Sequence, residues 1–273
     1  MGIEALIELL KTVPEEEAIR VLVKKYIAPD FDQAFENATR ILCVSPHPDD
    51  CEVGAGGLIA KYAAVGKEIY YLVMTDGSRG TSRKGISRGE LASIRRREQE
   101  EAAKLLGVRK VYWLDYPDGE LPYNKEVVSR LVTYYRLLKP DIVLAPDPSL
   151  PYEAHPDHIN TGKAASTAMI YVSLPLFNTH DLDAGLESHR VRYIAYYYTN
   201  RPNTFIDITG YMEKKLQALN MHKSQFSETW EQIKALVVLM AYLYGKKIGV
   251  EYADAVKLVP SFLLHVVPFT EQV

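Results

Sequence analysis

Cysteine is nearly absent from this chain. Only Cys43 and Cys51 occur, with no CxxC spacing, which argues against a disulfide framework and against a thiolate zinc site. No apolar run reaches the roughly 18 residues of a membrane span. The stretch from Met1 to Lys11 carries Glu4 and Glu8 inside its apolar pattern, so it reads as an amphipathic helix and not a signal peptide. Gly2 is present, but Leu6 stands where a myristoylation signal needs Ser or Thr. Neither sign of charge dominates: 32 basic and 35 acidic residues leave a net charge of −3, which gives no reason to expect nucleic acid or an anionic membrane as partner. Gly54-Ala55-Gly56-Gly57 is not a G-x-G-x-x-G phosphate loop. The composition, 47% hydrophobic and 25% charged, is that of an ordinary globular protein, and a cytoplasmic enzyme is the expectation.

The hydrophobic pattern predicts one domain over 1–273, with a helical N-terminal extension over 1–37 and an α/β core over 38–273. In the extension Leu6, Leu9 and Leu10 make one stripe, and Pro14 with Glu15-Glu16-Glu17 opens a helix. From Arg40 strands and helices alternate. Strands are expected at Ile41–Val44, Glu68–Met74, Lys110–Leu114 and Asp141–Ala145, with helices at Val53–Val65, Arg88–Leu106 and Asn124–Leu138. Continuous apolar runs suit strands buried on both faces. The alternation predicts a doubly wound, mostly parallel, Rossmann-like sheet of order 3-2-1-4-5 with helices on both faces. Tyr193–Thr199 and Phe205–Asp207 read as further strands, 209–222 and 229–246 as helices, and the tail Leu258–Pro268 as a last strand. The loop 173–190 is expected to shape a substrate mouth.

Against that background two tetrads stand out, His47-Pro48-Asp49-Asp50 with its single histidine and His155-Pro156-Asp157-His158 downstream. Each is expected after a strand and before a helix. One alone could be a helix cap; two are hard to explain that way. In open α/β sheets ligands bind where strand order reverses, so strands one and four would bring His47, Asp50 and His158 together. Two imidazoles and a carboxylate make a catalytic zinc pattern, although nitrogen and oxygen donors also tolerate iron or manganese. Asp49 is then the candidate general base. His155, as an imidazolium, would stabilise an oxyanion or protonate a leaving amine, and Asp157 would orient a histidine from behind.

These residues carry a family likeness. Pro46-His47-Pro48-Asp49-Asp50, Gly54-Ala55-Gly56-Gly57, Thr75-Asp76-Gly77, Arg95-x-x-Glu98, Pro117-Asp118-Gly119 and His155-Pro156-Asp157-His158 resemble, in order, the PIG-L (LmbE-like) zinc-dependent N-deacetylases. The resemblance implies one Zn2+ per chain held by His47, Asp50 and His158, Asp49 as base, His155 as electrophilic partner, and Arg95 and Asp118 at the substrate. It implies removal of the acetyl group from an N-acetylglucosamine unit. The surplus at both ends is most similar to the archaeal diacetylchitobiose deacetylases, which assemble as hexamers, and so implies a homo-oligomer.

Other residues leave choices open. Glu98 lies on the apolar stripe of its helix and Arg95 borders it, so Glu98 is expected to hold Arg95. His265 interrupts an apolar tail and reads as a core or interface histidine or as a substrate contact, one that could reach across a subunit boundary. His180 and His189 read as surface residues, His222 as a helix end, and Arg79, Arg83, Lys84 and Arg88 as a solvated loop. The alternatives in function are a deacetylase of another glucosaminyl conjugate (thiol-cofactor or antibiotic precursor) and a non-catalytic sugar- or metal-binding protein.

Overall fold

The computed structural model describes residues 3–273; Met1 and Gly2, and with them the myristoylation reading, lie outside the described residues, as do the side chains of Ile3 and Leu6 in the expected N-terminal stripe. The chain opens with α1 (Ile3–Thr12) and α2 (Glu15–Leu22), then one π turn, one 3-10 turn and the short α3 (Ala34–Asn37). Ile19, Val23, Phe31 and Phe35 join the main core, and Asp30 accepts from Arg192 Nη1 and from the Tyr193 hydroxyl, each at 2.5 Å. The N-terminal helices are therefore tied to the sheet by both packing and charge.

The core follows as β1 (Arg40–Ser45), α4 (Asp50–Ala64), β2 (Glu68–Thr75), α5 (Arg88–Leu106), β3 (Lys110–Tyr116), α6 (Lys125–Leu138), β4 (Ile142–Pro146), α7 (Pro156–Tyr171), α8 (Thr179–Asp183) and β5 (Tyr193–Tyr197). It ends with β6 (Thr204–Asp207), α9 (Met212–Leu219), α10 (Lys223–Phe226), α11 (Trp230–Ile248) and β7 (Ala253–Pro260). The sheet order is β3-β2-β1-β4-β5-β7-β6. The first five strands pair in parallel, in the expected 3-2-1-4-5 order, and β7 adds antiparallel to β5 and β6. Strand order reverses between β1 and β4. Right-handed crossovers leaving in opposite directions put helices on both faces, α4 with α5 and α9, and α6 with α7. No helix among the described residues is long and apolar enough to cross a membrane.

Three expectations are corrected. The tail strand expected at Leu258–Pro268 is β7, which starts at Ala253 and stops at Pro260, where a 3-10 turn over Ser261–Leu264 takes over. Asp254 and Lys257 hid its first half; both are buried, Asp254 against Lys215 Nζ at 2.5 Å and Lys257 on the Val273 carbonyl at 2.5 Å. The loop 173–190 does not shape the mouth of the site. It carries α8 and is held to α6 by the fully buried Arg136, which bonds Asp181 at 3.1 Å and the carbonyls of Leu174 and Phe177 at 2.8 Å. Finally, Cys43 and Cys51 form one buried disulfide with Cα atoms 6.4 Å apart. A strand, a tight turn and a helix start bring them together across a spacing that no sequence motif marks.

Gly54 shows how closely α4 lies on the sheet. A Cβ there would clash with Cδ2 at the edge of the Tyr197 ring, and the Tyr197 hydroxyl donates to the Val44 carbonyl at 2.8 Å. Gly54→Ala should therefore lower the unfolding free energy by about 1–3 kcal/mol through overpacking. Urea denaturation reads this; a change below about 0.5 kcal/mol, the size of an ordinary surface substitution, would contradict the close approach.

Candidate active site

Both tetrads lie at the carboxyl end of the sheet, but they reach it differently. Asp49 takes the N-cap position of α4 directly after β1. The second tetrad does not follow β4 at once: the loop 147–154 intervenes, and His155 caps α7, with Pro156 in its first turn and the Asp157 N–H on His155 Nδ1 at 3.3 Å. Asp49 itself has φ 113° and ψ −26°, a conformation a residue with a side chain holds only when its surroundings impose it.

His47 is the hub. Its Nδ1 is 3.3 Å from Asp50 Oδ2, and its Nε2 is 3.1 Å from Asp157 Oδ2 and 3.3 Å from Asp118 Oδ1. Burial alone would lower its pKa, but Asp118, Asp157 and Asp50 push it up to about 11. Asp50 reaches His158 as well, 3.4 Å from its Nε2; burial resists its charge, yet His158 and His47 hold its carboxyl well below the usual range. The rings of His47 and His158 are 5.2 Å apart, and those of His47 and His155 4.5 Å. Donor atoms of His47, His155 and His158 lie within 4.8 Å of one another, and so do those of His47, Asp118, His155 and Asp157. Asp50 touches both His47 and His158 but is in neither of these sets. The arrangement of imidazole nitrogens and carboxylate oxygens fits a divalent metal ion.

Asp49 sits beside this centre. Burial first, and then the negative charge of Asp50, raise its pKa to about 6 against the pull of Arg95. Arg95 is 3% exposed. Its Nη2 donates to Asp49 Oδ2 at 3.0 Å and to the Pro48 carbonyl at 2.7 Å, and its Nη1 to the Gly77 carbonyl at 3.0 Å. Glu98 is not its partner. That carboxylate accepts from the Ser224 N–H at 2.8 Å and its hydroxyl at 2.5 Å, because α10 packs on α5 there. Asp118 accepts from the Arg79 N–H at 3.0 Å; burial works against its charge, but His47 holds it down at about 2. Asp157 is fully buried and accepts from the Gly119 N–H at 2.7 Å and the Leu121 N–H at 3.1 Å. Burial and the positive charges of His47 and His158 lower His155, favouring the neutral ring over the imidazolium. With Nδ1 accepting from Asp157, that ring carries its proton on Nε2.

His47, Asp49, Asp50, Arg95, Asp118, His155 and His158 all line one cavity of about 410 Å³. His265 does not; it is exposed in the segment after β7. His180 is on the surface, whereas His189 is half-buried with Nε2 2.8 Å from the Pro140 carbonyl. His222 stands between α9 and α10, at the N-cap of α10, and is fully buried, 3.6 Å from Glu52. Arg79 lines the site cavity and pairs with Glu120. Some neighbours went unread. Glu153 holds His158 Nδ1 at 3.1 Å and the His155 N–H at 2.8 Å. Tyr198 stacks on His158 at 5.9 Å and 11°, and donates to Asp50 at 3.2 Å. Proximity to His155 was the only signal for Glu153; the position of Tyr198 at the end of a strand was the signal for the tyrosine.

The fold and the site define a class, an α/β protein with a His/Asp candidate metal centre at the switch point of a parallel sheet. Comparison with known proteins narrows it. The profile of the PIG-L family, described as GlcNAc-PI de-N-acetylase, matches residues 42–169. The diacetylchitobiose deacetylase of Thermococcus kodakarensis is 44% identical over 257 residues, covering 93% of this chain and 95% of that protein. The N,N'-diacetylchitobiose deacetylase structure from Pyrococcus horikoshii, in complex with an inhibitor, superposes with a TM-score of 0.90 at 45% identity, covering 96% of this chain and 98% of the other. The 4-oxalmesaconate hydratase of Pseudomonas putida is 28% identical over 78% of this chain and 83% of its own length. The chain belongs to the PIG-L family and is a deacetylase.

Arg95 joins the Asp49 carboxylate to the carbonyls of Pro48 and Gly77. Arg95→Leu should cost about 3–5 kcal/mol of stability, as for a buried ion pair that loses one partner. Chemical denaturation measures it, and a loss below about 1 kcal/mol would mean that the pair behaves as a solvated one.

Proposed function

We propose that this protein is a zinc-dependent hydrolase of N-acetylglucosamine units in small sugars such as N,N'-diacetylchitobiose, releasing acetate and an amino sugar. The observation that carries the reading is the convergence of His47, Asp50 and His158 beside Asp49 in one cavity. The 44% identity to a diacetylchitobiose deacetylase across nearly the whole chain supports the substrate.

In this reading His47, Asp50 and His158 hold the ion. Glu153 fixes the His158 ring from its far nitrogen, and Tyr198 braces both His158 and Asp50. The chemistry a bound zinc supplies is acidification of water toward a pKa of about 7 and polarisation of a carbonyl. The protein's residues do the rest. Asp49, lifted by burial yet held ionisable by Arg95, accepts a proton from the water that attacks the amide carbon. The Nε2–H of His155 donates to the oxygen on which negative charge develops. The C–N bond then breaks, and the proton on Asp49 passes to the departing amine, leaving acetate. Arg79 and Asp118, with the exposed edge of Arg95, all line the cavity and in this reading bind sugar hydroxyls. A second cavity of about 580 Å³ shares Gly80 and Gln225 with the first; it gives room for the remainder of a short oligosaccharide.

The test is acetate release from N,N'-diacetylchitobiose and from free N-acetylglucosamine after chelation and again after zinc is restored. Zinc should restore release. Asp49→Asn should keep its metal and lose turnover by about 10²–10⁴-fold, the usual worth of a general base. Undiminished release by that variant would remove Asp49 from the chemistry. No release from either sugar by the zinc-loaded protein would redirect the assignment to larger glucosaminyl conjugates.

A further inference from the structure

The left-handed backbone of Asp49 poses a question that the reaction scheme leaves open. Such a conformation costs a non-glycine residue about 1–3 kcal/mol and persists only where its surroundings over-determine it. Two side chains of α5, one helical turn apart, supply the constraint. Arg95 holds the carboxylate. Gln99 holds the backbone: its Oε1 accepts the Asp49 N–H at 2.8 Å. The Gln99 amide has a defined orientation because its Nε2 donates to Glu52 Oε1 at 2.8 Å. Turning the amide over would set two donors against each other at Asp49 and two acceptors against each other at Glu52. Gln99 and Glu52 are both fully buried, so water cannot replace either bond. Glu52 lies in the first turn of α4, so the bonds close a ring from Asp49 through Gln99 back to the helix that Asp49 caps.

We propose that Gln99, oriented by Glu52, is a positioning residue: it locks the backbone of Asp49 so that the carboxylate faces the reacting centre. The inference rests on Asp49 being the base. Gln99 is fully buried and does not line the cavity, so it acts through hydrogen-bond direction. Exchanging the donor and the acceptor between positions 99 and 52 should therefore preserve its action.

The experiment measures kcat, KM, bound zinc and melting temperature for the zinc-loaded enzyme and its variants. Gln99→Leu should lower kcat by about 10–100-fold, with KM within about twofold and zinc content unchanged, as expected for a displaced catalytic group. Gln99→Glu sets two carboxylates face to face and should lose a similar factor. Adding Glu52→Gln to Gln99→Glu restores one donor between them, and kcat should return to within about threefold of the parent, the signature of coupled residues. This rescue decides the matter even if Gln99→Leu fails to fold. In the parent background, Asp49→Asn should lose turnover by about 10²–10⁴-fold, and adding Gln99→Leu to it should cost nothing more of the residual rate. A Gln99→Leu enzyme with parental kcat overturns the proposal, as does a folded double exchange no better than Gln99→Glu alone, or a Gln99→Leu loss that persists in full on the Asp49→Asn background. Parental activity in Asp49→Asn itself would instead overturn the base assignment, and the proposal with it.

Discussion

Asp50, Asp118 and Asp157 all face one buried imidazole, and the geometry of the site follows from that concentration of negative charge. Buried carboxylates without compensating charge are costly. Here part of the compensation is backbone: Asp157 takes two N–H groups and Asp118 takes one. Part is Arg95, sunk behind Asp49. The remainder falls at His47, whose ring is driven strongly toward its charged form. A divalent cation at this point would satisfy the same electrostatic demand, and the nitrogen and oxygen donors around it are those that bind one.

The fold exists to deliver these groups to one spot. β1 and β4 are neighbours only because strand order reverses between them, and each ends in a loop that turns toward the same crevice. Tight packing of α4, permitted by Gly54 against Tyr197, fixes the turn that carries His47, Asp49 and Asp50. From α5, Arg95 and Gln99 reach the carboxylate and the backbone of Asp49. Asp49 is thus held at its carboxylate and at its backbone by one helix.

Much of this was legible from residue order. The alternation of continuous apolar runs with helical stretches gave the parallel strands, and the two tetrads contained five of the residues that share the cavity, His47, Asp49, Asp50, His155 and His158. What could not be read has a physical cause in each case. β7 hid behind Asp254 and Lys257, which are buried against partners distant in sequence, the Lys215 ammonium for Asp254 and the carbonyls of Glu271 and Val273 for Lys257. Glu98 seemed made for Arg95 by helical spacing, but the helix start at Ser224 claims it. The disulfide joins residues of no motif spacing, and Tyr198, Glu153 and Gln99 matter through contacts that only the folded chain creates. His265 attracted notice by interrupting an apolar run; in the folded chain it is exposed just beyond a 3-10 turn whose Leu263 is buried, as an interface residue would be.

The most direct test of the central claim is anomalous diffraction at the zinc edge from crystals of the zinc-loaded protein. The account predicts one peak per chain, bounded by His47, Asp50 and His158, with Asp49 beside it and unbound. A peak among His47, Asp118, His155 and Asp157, whose donor atoms also lie within 4.8 Å of one another, or no peak at either place, would contradict it.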